Sequence, residues 1–286
     1  MIMEFTKWHG LGNDFVLVET TPDQLSPDQA AAFARKVCDR NFGVGGDGLV
    51  FVFSDDRGMF NMRIFNADGT EPEMCGNAIR CVAKYLYAKG LAKETAFPVR
   101  TKAGIKVPEI VIADKQVAAI KVDMGEPILK SELIPFRGAP GSMVIDREIE
   151  SGGKKINITA VSMGNPHCIL FIDETVDRFP VHILGPQLEC HYLFPAKANV
   201  EFVEVVDSHR VKARVWERGV GETLACGTGA CAVAVGGSLC GRLERKAEII
   251  LPGGSLFVEW GEDNHVYMTG PAEEVFSGKL CSSPEK

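Results

Sequence analysis

Two stretches of this chain decide its fold: Phe65-Asn66-Ala67-Asp68-Gly69-Thr70-Glu71-Pro72-Glu73-Met74-Cys75-Gly76-Asn77-Ala78 and Trp216-Glu217-Arg218-Gly219-Val220-Gly221-Glu222-Thr223-Leu224-Ala225-Cys226-Gly227-Thr228-Gly229. In each, a β-rich run ends, a polar turn follows, and a Cys-Gly pair opens a helical segment. At a spacing of 151 positions Arg63 falls on Arg214, Asn66 on Glu217, Glu71 on Glu222, Cys75 on Cys226 and Gly76 on Gly227. The preceding strands keep phase, Met62 on Ala213 and Ile64 on Val215, and a near-identical shift carries Gly12-Asn13 onto Gly164-Asn165. A whole strand–turn–Cys-Gly–helix unit repeated in register implies an internal duplication. The expected fold is α/β with mixed α+β sheets, in two pseudo-symmetric domains: residues 1–125 carrying Cys75 and 126–270 carrying Cys226, joined around 123–127.

Working outward, Val/Ile/Phe-rich runs bounded by Gly, Pro and Asp predict strands at 14–19, 49–53, 60–65, 105–112 and 117–123. In the second half they fall at 156–161, 168–173, 199–206, 211–216, 247–251, 255–260 and 265–269. Helices are few. Ser26-Pro27 reads as a cap with Pro at the first helical position, opening a helix to about Arg40. A second begins near Cys75, with Ile79, Val82, Ala83 and Leu86 at helical spacing, and a third near Cys226. The third is apolar on nearly every side, as a helix enclosed by sheet would be.

With 286 residues, 45% hydrophobic and 24% charged, the chain buries a real core and is neither disordered nor fibrous. Lys and Arg number 31 against 38 Asp and Glu, a net charge of −7 without a basic run, which argues against nucleic acid. The opening Met-Ile-Met-Glu-Phe-Thr-Lys reads as neither signal nor transit peptide. The uncharged stretch 223–241 is rich in Gly, Ala, Cys, Ser and Thr, too weakly apolar for lipid, so no membrane association is expected. Nine cysteines, an odd number with no Cys-x-x-Cys pair, point to a reduced cytoplasmic protein rather than a disulfide framework or zinc ribbon. Cys38, Cys168, Cys190, Cys240 and Cys281 are expected to be structural.

Cys75 and Cys226 stand apart. Each sits at a helix start, where unpaired N–H groups and the helix dipole favour anions, lower a thiol's pKa and cradle a substrate carboxylate. Two equivalent thiols suit proton removal from one face of a carbon and delivery to the other, which is racemisation or epimerisation by a thiolate and a thiol. Cys81 and Cys231 follow at spacings that do not share a helix face with them, so no metal is expected. Gly43-Val44-Gly45-Gly46-Asp47-Gly48 fits the dinucleotide pattern, but a helix precedes it and a strand follows, the reverse of what that fingerprint needs. Nothing points to pyridoxal phosphate. His167 lies beside the repeated Asn165 and is a candidate for tuning a thiol; Glu217 is another, and Arg218 suits a bidentate clamp on a carboxylate.

The segments Gly10-Leu11-Gly12-Asn13-Asp14-Phe15, Arg40-Asn41-Phe42-Gly43, Phe65 to Gly69, Met74 to Ala78, Met163-Gly164-Asn165-Pro166-His167, Ala198-Asn199-Val200-Glu201 and the Cys226 unit resemble the diaminopimelate epimerases. The cysteine units alone are shared with proline racemase-like relatives, which stand as the alternative, and a non-catalytic binding protein on the same fold is a third reading. The resemblance implies cofactor-independent interconversion of LL- and meso-diaminopimelate by Cys75 and Cys226, Cys226 accepting and Cys75 donating the proton towards the meso isomer. It implies substrate contacts from Asn13, Asn66, Gly76, Asn77, Asn165, Asn199, Glu217, Arg218, Gly227 and Thr228, with His167 and Glu217 modulating the thiols. Some relatives carry Gln where this chain has Gly48. The resemblance further implies sheet wrapped around a central helix in each domain, an active site between them, a final segment near 271–286 returning to the first domain, and a homodimer.

Overall fold

The computed structural model describes residues 2–20 and 25–281, the side chains of Ile2 and Cys281 excepted. Its chain divides into two units, Met1–Val122 with Gly270–Lys286, and Asp123–Thr269. In the first, β1 (Ile2–Gly10) and β2 (Asn13–Glu19) precede α1 (Pro27–Cys38), β3 (Gly48–Ser54), β4 (Phe60–Asn66) and α2 (Gly76–Ala88). The short strands β5 (Val99–Thr101), β6 (Gly104–Lys106), β7 (Glu109–Ala113) and β8 (Gln116–Asp123) follow. The second unit holds β9 (Val144–Ser151), β10 (Lys154–Ser162), β11 (Pro166–Ile172), α3 (Val181–Glu189), β12 (Asn199–Asp207), β13 (Arg210–Glu217) and β14 (Gly221–Thr223). It continues with α4 (Gly227–Leu239), β15 (Lys246–Leu251), β16 (Gly254–Trp260) and β17 (Val266–Gly270); the last strand, β18 (Glu273–Cys281), belongs to the first unit. The fold is mixed α+β.

The first sheet runs β18-β1-β2-β3-β4-β5-β6, with β2–β3 and β4–β5 parallel and its other pairs antiparallel. Strand β1 lies inside it, between β18 and β2. Helix α1 starts with a full capping box: Ser26 Oγ accepts from Gln29 N–H, and the Gln29 side chain accepts from Ser26 N–H. It packs Ala30, Ala34 and Val37 into a core with Val16, Leu49, Phe51 and Phe65. Helix α2 packs on β1, β2 and β4. Arg80 and Lys84 of α2 hold the returning chain by donating to the carbonyls of Pro271 (3.1 Å) and Ala272 (2.7 Å).

In the second unit the strand order is β17-β16-β15-β13-β12-β11-β10-β9, with β14 paired to β13. Helix α4 packs against β10, β11, β12, β15 and β16. Gly227 and every residue of 229–237 are buried, which explains a sequence apolar on all sides. At 13 residues it is short, and among the described residues no helix is long and apolar enough to cross a membrane. A second core gathers Ile134, Phe136, Ile158, Leu170, Leu188, Phe194, Val200 and Phe202 against α3.

Several expectations are corrected. The single strand expected over 105–112 is two, β6 and β7, broken at Val107-Pro108, because Pro has no N–H for a ladder and restricts the residue before it. Helix α3 is absent from the pattern reading since it contains both Gly185 and Pro186, yet burial of Val181 and Leu188 holds it. Strands β1, β5, β9, β14 and β18 lie outside the expected runs; β5 and β14 have three residues each, and β9, Val-Ile-Asp-Arg-Glu-Ile-Glu-Ser, is heavily charged. Cys190 is not a core residue: it is exposed at the C-cap of α3. Cys38 and Cys168 are buried, Cys240 is half-buried, and the side chain of Cys281 lies outside the described residues.

Candidate active site

The duplicated sequence unit is a duplicated piece of structure. In each half a strand carries an Arg that grips a Glu of the segment leading to the cysteine. Arg63 Nε and Nη2 donate to the Glu71 carboxylate at 2.9 and 3.3 Å, and Arg214 Nε donates to Glu222 at 2.6 Å. Arg214 also donates to the carbonyls of Val176 and Phe179, both at 2.9 Å. These pairs pin the turn so that the cysteine arrives at the helix start. Cys75 N-caps α2 with φ −139° and ψ 121°, and Cys226 N-caps α4 with φ −124° and ψ 114°. Each carbonyl opens its helix, accepting from Ile79 N–H at 3.0 Å and Ala230 N–H at 2.9 Å.

The thiols differ in setting. Cys75 is half-buried and Cys226 is buried. The Cys226 sulfur accepts from Gly229 N–H at 3.4 Å and lies 3.4 Å from Thr228 Oγ1. The expectation that a helix start lowers its pKa is not met. Burial pushes the Cys226 thiol well above its ordinary value, the carboxylates of Glu217 and Glu201 push it further, and the Thr228 and Gly229 bonds oppose them without prevailing. Cys81 and Cys231 are both buried, and among the described residues no three His, Cys, Asp or Glu side chains gather to hold a metal ion.

The Asn residues that precede each unit return to it. Gly12 (φ 85°) and Gly164 (φ 95°) make left-handed turns that favour glycine, and each presents an Asn. Asn13 Oδ1 accepts from Asn77 Nδ2 at 3.1 Å; Asn165 Nδ2 donates to Thr228 Oγ1 at 3.3 Å. Asn77 and Thr228 each follow their cysteine by two positions, so the contact is repeated with the residues. Asn13 Nδ2 donates to Asp47 Oδ2 at 2.7 Å. Arg40 joins Asp47 to Asp14 at 2.8 Å each, and Lys7 reaches Asp14 at 2.6 Å. Burial alone would raise Asp14, but bonds from Arg40 and Lys7 outweigh it and bring the carboxyl down to about 2.

The other expected site residues take up varied positions. Asn66 is exposed at the end of β4 and donates to Thr70 Oγ1 at 2.9 Å. Gly76 and Gly227 are buried first residues of their helices. Glu217 accepts from Thr223 Oγ1 at 2.6 Å. Asn199 is buried, and its amide bridges the Pro166 carbonyl (3.1 Å) and Arg218 N–H (2.9 Å), tying the Asn165 turn to the end of β13. The exposed Arg218 donates from Nη1 to the Ala196 carbonyl at 3.0 Å. Gly48 sits in β3 opposite Asn66, and a Cβ there would come within 2.9 Å of the Phe65 carbonyl, so this backbone is shaped for glycine. His167 is fully buried, with Nδ1 2.6 Å from Glu201 Oε1 and Nε2 3.0 Å from Asn165 Oδ1. Glu201 and the buried Arg80, which donates to Asn77 Oδ1 at 2.9 Å, were not among the expected site residues. The sequence carries little signal for either: Arg80 shares its helix face with Asn77 and Lys84, and Glu201 shares its face of β12 with Asn199 and Val203.

Two units built on this plan define a fold class already seen in solved structures. The Bacillus anthracis phenazine biosynthesis protein of the PhzF family aligns over 99% of this chain and 100% of its own, with a TM-score of 0.70 at 18% identity, a likeness of fold alone. Sequence goes further. The sequence model of the diaminopimelate epimerase family matches residues 5–130 and 159–275. The diaminopimelate epimerase of Pelotomaculum thermopropionicum is 52% identical over 277 residues, 97% of this chain and 98% of that protein. That of Moorella thermoacetica is 52% identical over 277 residues, 96% of this chain and 98% of that protein. The chain belongs to the diaminopimelate epimerase family.

Proposed function

We propose that this chain is an isomerase that interconverts LL- and meso-2,6-diaminopimelate, a step towards lysine and peptidoglycan precursors, with Cys75 and Cys226 as its acid–base pair. The observation that carries the reading is the matched pair of cysteines, each an N-cap in the same backbone conformation behind an Arg–Glu-pinned turn. One thiolate removes the α-proton, and the other thiol returns a proton to the opposite face of the same carbon; exchanging their roles runs the reaction backwards. Towards the meso isomer Cys226 accepts and Cys75 donates. The N–H groups of Gly76, Asn77, Gly227 and Thr228, at the starts of α2 and α4, suit the carboxylate beside the reacting carbon and the charge that develops on it.

The side chains of Asn13, Asn66, Asn165, Asn199, Glu217 and Arg218 suit the remaining polar groups of a substrate with two amino-acid heads. His167 and Glu217 modulate the thiols. The proton chemistry needs only the two cysteines, so the enzyme works without pyridoxal phosphate or metal, as a cytoplasmic homodimer independent of nucleic acid and membrane.

Solvent-deuterium exchange tests the reading. Purified protein in deuterium oxide should place deuterium at the α-carbon of LL-diaminopimelate while forming the meso isomer, and leave proline and hydroxyproline unlabelled. A site with buried donors matched to a polar head rejects analogues lacking it. Labelling of proline but not of diaminopimelate would transfer the assignment to the racemase alternative, and labelling of neither would remove the enzyme reading.

A further inference from the structure

The repeated Asn contacts end on groups of different kinds. In the first unit donors run from Arg80 Nη2 to Asn77 Oδ1 (2.9 Å), from Asn77 Nδ2 to Asn13 Oδ1 (3.1 Å), and from Asn13 Nδ2 to Asp47 Oδ2 (2.7 Å). A guanidinium only donates and an ionised carboxylate only accepts, so both amides have a single orientation. In the second unit the chain starts at Glu201 and ends on sulfur. Glu201 Oε1 lies 2.6 Å from His167 Nδ1, and His167 Nε2 3.0 Å from Asn165 Oδ1. Asn165 Nδ2 lies 3.3 Å from Thr228 Oγ1, which is 3.4 Å from Cys226 Sγ. Imidazole, amide, hydroxyl and thiol each donate or accept, so this chain has two directions.

Glu201 is fully buried, and its Oε2 has no hydrogen-bond partner among the described residues. A buried carboxylate with a bare oxygen needs a balancing charge, and His167, equally buried, is the group against it. We propose that Glu201 is a positioning residue for Cys226, setting the protonation of its sulfur through a reversible hydrogen-bond chain of His167, Asn165 and Thr228. The proposal rests on the reading of Cys226 as an acid–base group.

In one direction His167 is protonated on both nitrogens. Its Nε2–H donates to Asn165 Oδ1, Asn165 Nδ2–H to Thr228 Oγ1, and the Thr228 O–H to a Cys226 thiolate. In the other, the Asn165 amide has made a half-turn. Sγ–H donates to Thr228 Oγ1, the Thr228 O–H to the amide oxygen, and the amide N–H to the lone pair on Nε2 of a neutral imidazole. The proton count is the same: the S–H bond broken in one direction is replaced by the Nε2–H bond in the other, and the S–H electron pair stays on sulfur. Nδ1–H faces Glu201 in both. Cys226 thus ionises without a change in the site's net charge.

Such a route matters because the sulfur's surroundings otherwise oppose ionisation. Burial, Glu217 on β13 and Glu201 on β12 all disfavour the thiolate, against the Thr228 hydroxyl and Gly229 N–H of α4. His167 and Cys168, on β11, are the further titratable groups at Glu201. A Cβ on Gly229 would stand 2.8 Å from Glu201 Oε1 and 3.3 Å from Cys226 Sγ, so carboxylate and sulfur face the same glycine. At the shift of 152 that carries Asn165 onto Asn13, His167 corresponds to Phe15, and at 151 Glu201 corresponds to Val50, which confines the device to one half of the duplication.

Through-space and relayed action predict opposite signs. If Glu201 acts only as a nearby anion, Glu201→Gln eases ionisation of Cys226. If it acts through His167, the same change leaves a buried imidazolium unbalanced, and the pH of half-ionisation rises by about one unit or more, about tenfold less thiolate at a given pH. The readout is thiolate ultraviolet absorbance against pH, taken as the difference between each full-length protein and its Cys226→Ser counterpart. Thr228→Val cuts the chain without altering charge and should raise the midpoint likewise, Thr228→Ser should restore it, and the Glu201→Gln/Thr228→Val double variant should shift no further than the singles. If Glu201→Gln does not fold, Asn165→Ala decides: it cuts the chain but leaves the Thr228–Cys226 contact in place, so the midpoint should rise, and an unchanged or lower midpoint overturns the proposal. An unchanged or lower midpoint in Glu201→Gln or Thr228→Val, or additive shifts in the double variant, overturns the proposal. Deuterium exchange by the unaltered protein is read separately: its failure removes the proposed function, whereas the thiolate titration alone decides the relay.

Discussion

Replacing Asp14 by Asn removes a charge that the first unit has stabilised against protonation. The Asp14 carboxyl stands at about 2 against an ordinary 3.8, because Arg40 and Lys7 outweigh the burial that would raise it. At about 1.4 kcal/mol per pKa unit the difference contributes about 2 kcal/mol of folding free energy. The pairs are unequal: the Lys7 side chain is 8% exposed and that of Arg40 60%, so solvent screens the Arg40 pair and the Lys7 pair dominates at moderate salt. Because the folded carboxyl is depressed, this stability is fully present above about pH 4 and is lost as pH falls towards about 2.

Amide hydrogen exchange, followed by peptide mass, reads it directly and separates the units. Asp14→Asn at about pH 7 should speed exchange in β1 and β2 roughly 30-fold, the equivalent of about 2 kcal/mol, while β12 and β13 keep their wild-type rates. After correction for intrinsic rates, the gap between wild type and variant should narrow as pH falls through the range of about 4 to 2. A gap that stays constant with pH, or equal acceleration in both units, would refute the assignment of this stability to the Asp14 charge.

Cys75→Ala or Cys226→Ala each removes a proton-transfer partner and should cut epimerisation about 10²–10⁴-fold; a single variant within about tenfold of wild type in a steady-state assay contradicts a two-thiol mechanism. Arg214→Met breaks the partly buried pair with Glu222 and the bonds to Val176 and Phe179, freeing the turn before Cys226. Its expected cost is about 1–3 kcal/mol of stability with a fall in kcat, and calorimetry with steady-state kinetics checks both.

What was legible in the sequence and what was not divide along chain separation. The cysteine units, the three principal helices and most strands were readable because each is a contiguous run whose periodicity, caps and turn residues act locally. Strands β1 and β18 were not: they pair with each other from opposite ends of the chain, and nothing local marks a partner more than 260 residues away. Cys75 and Cys226 were legible as candidates through their repetition. Glu201 was not, because its meaning comes from His167 on the neighbouring strand β11 and from Gly229 on α4.

By itself the sequence determined the duplication, the place of each cysteine at a helix start and membership of the family, since these depend on residue identity and spacing. Only the tertiary structure decided how the thiol at Cys226 is poised. The local signal, a helix N-terminus, favours the thiolate, but burial among the strands around α4, aided by the Glu217 carboxylate, outweighs it. Local dipoles follow from sequence; desolvation and charge at a few ångströms exist only once distant segments have packed.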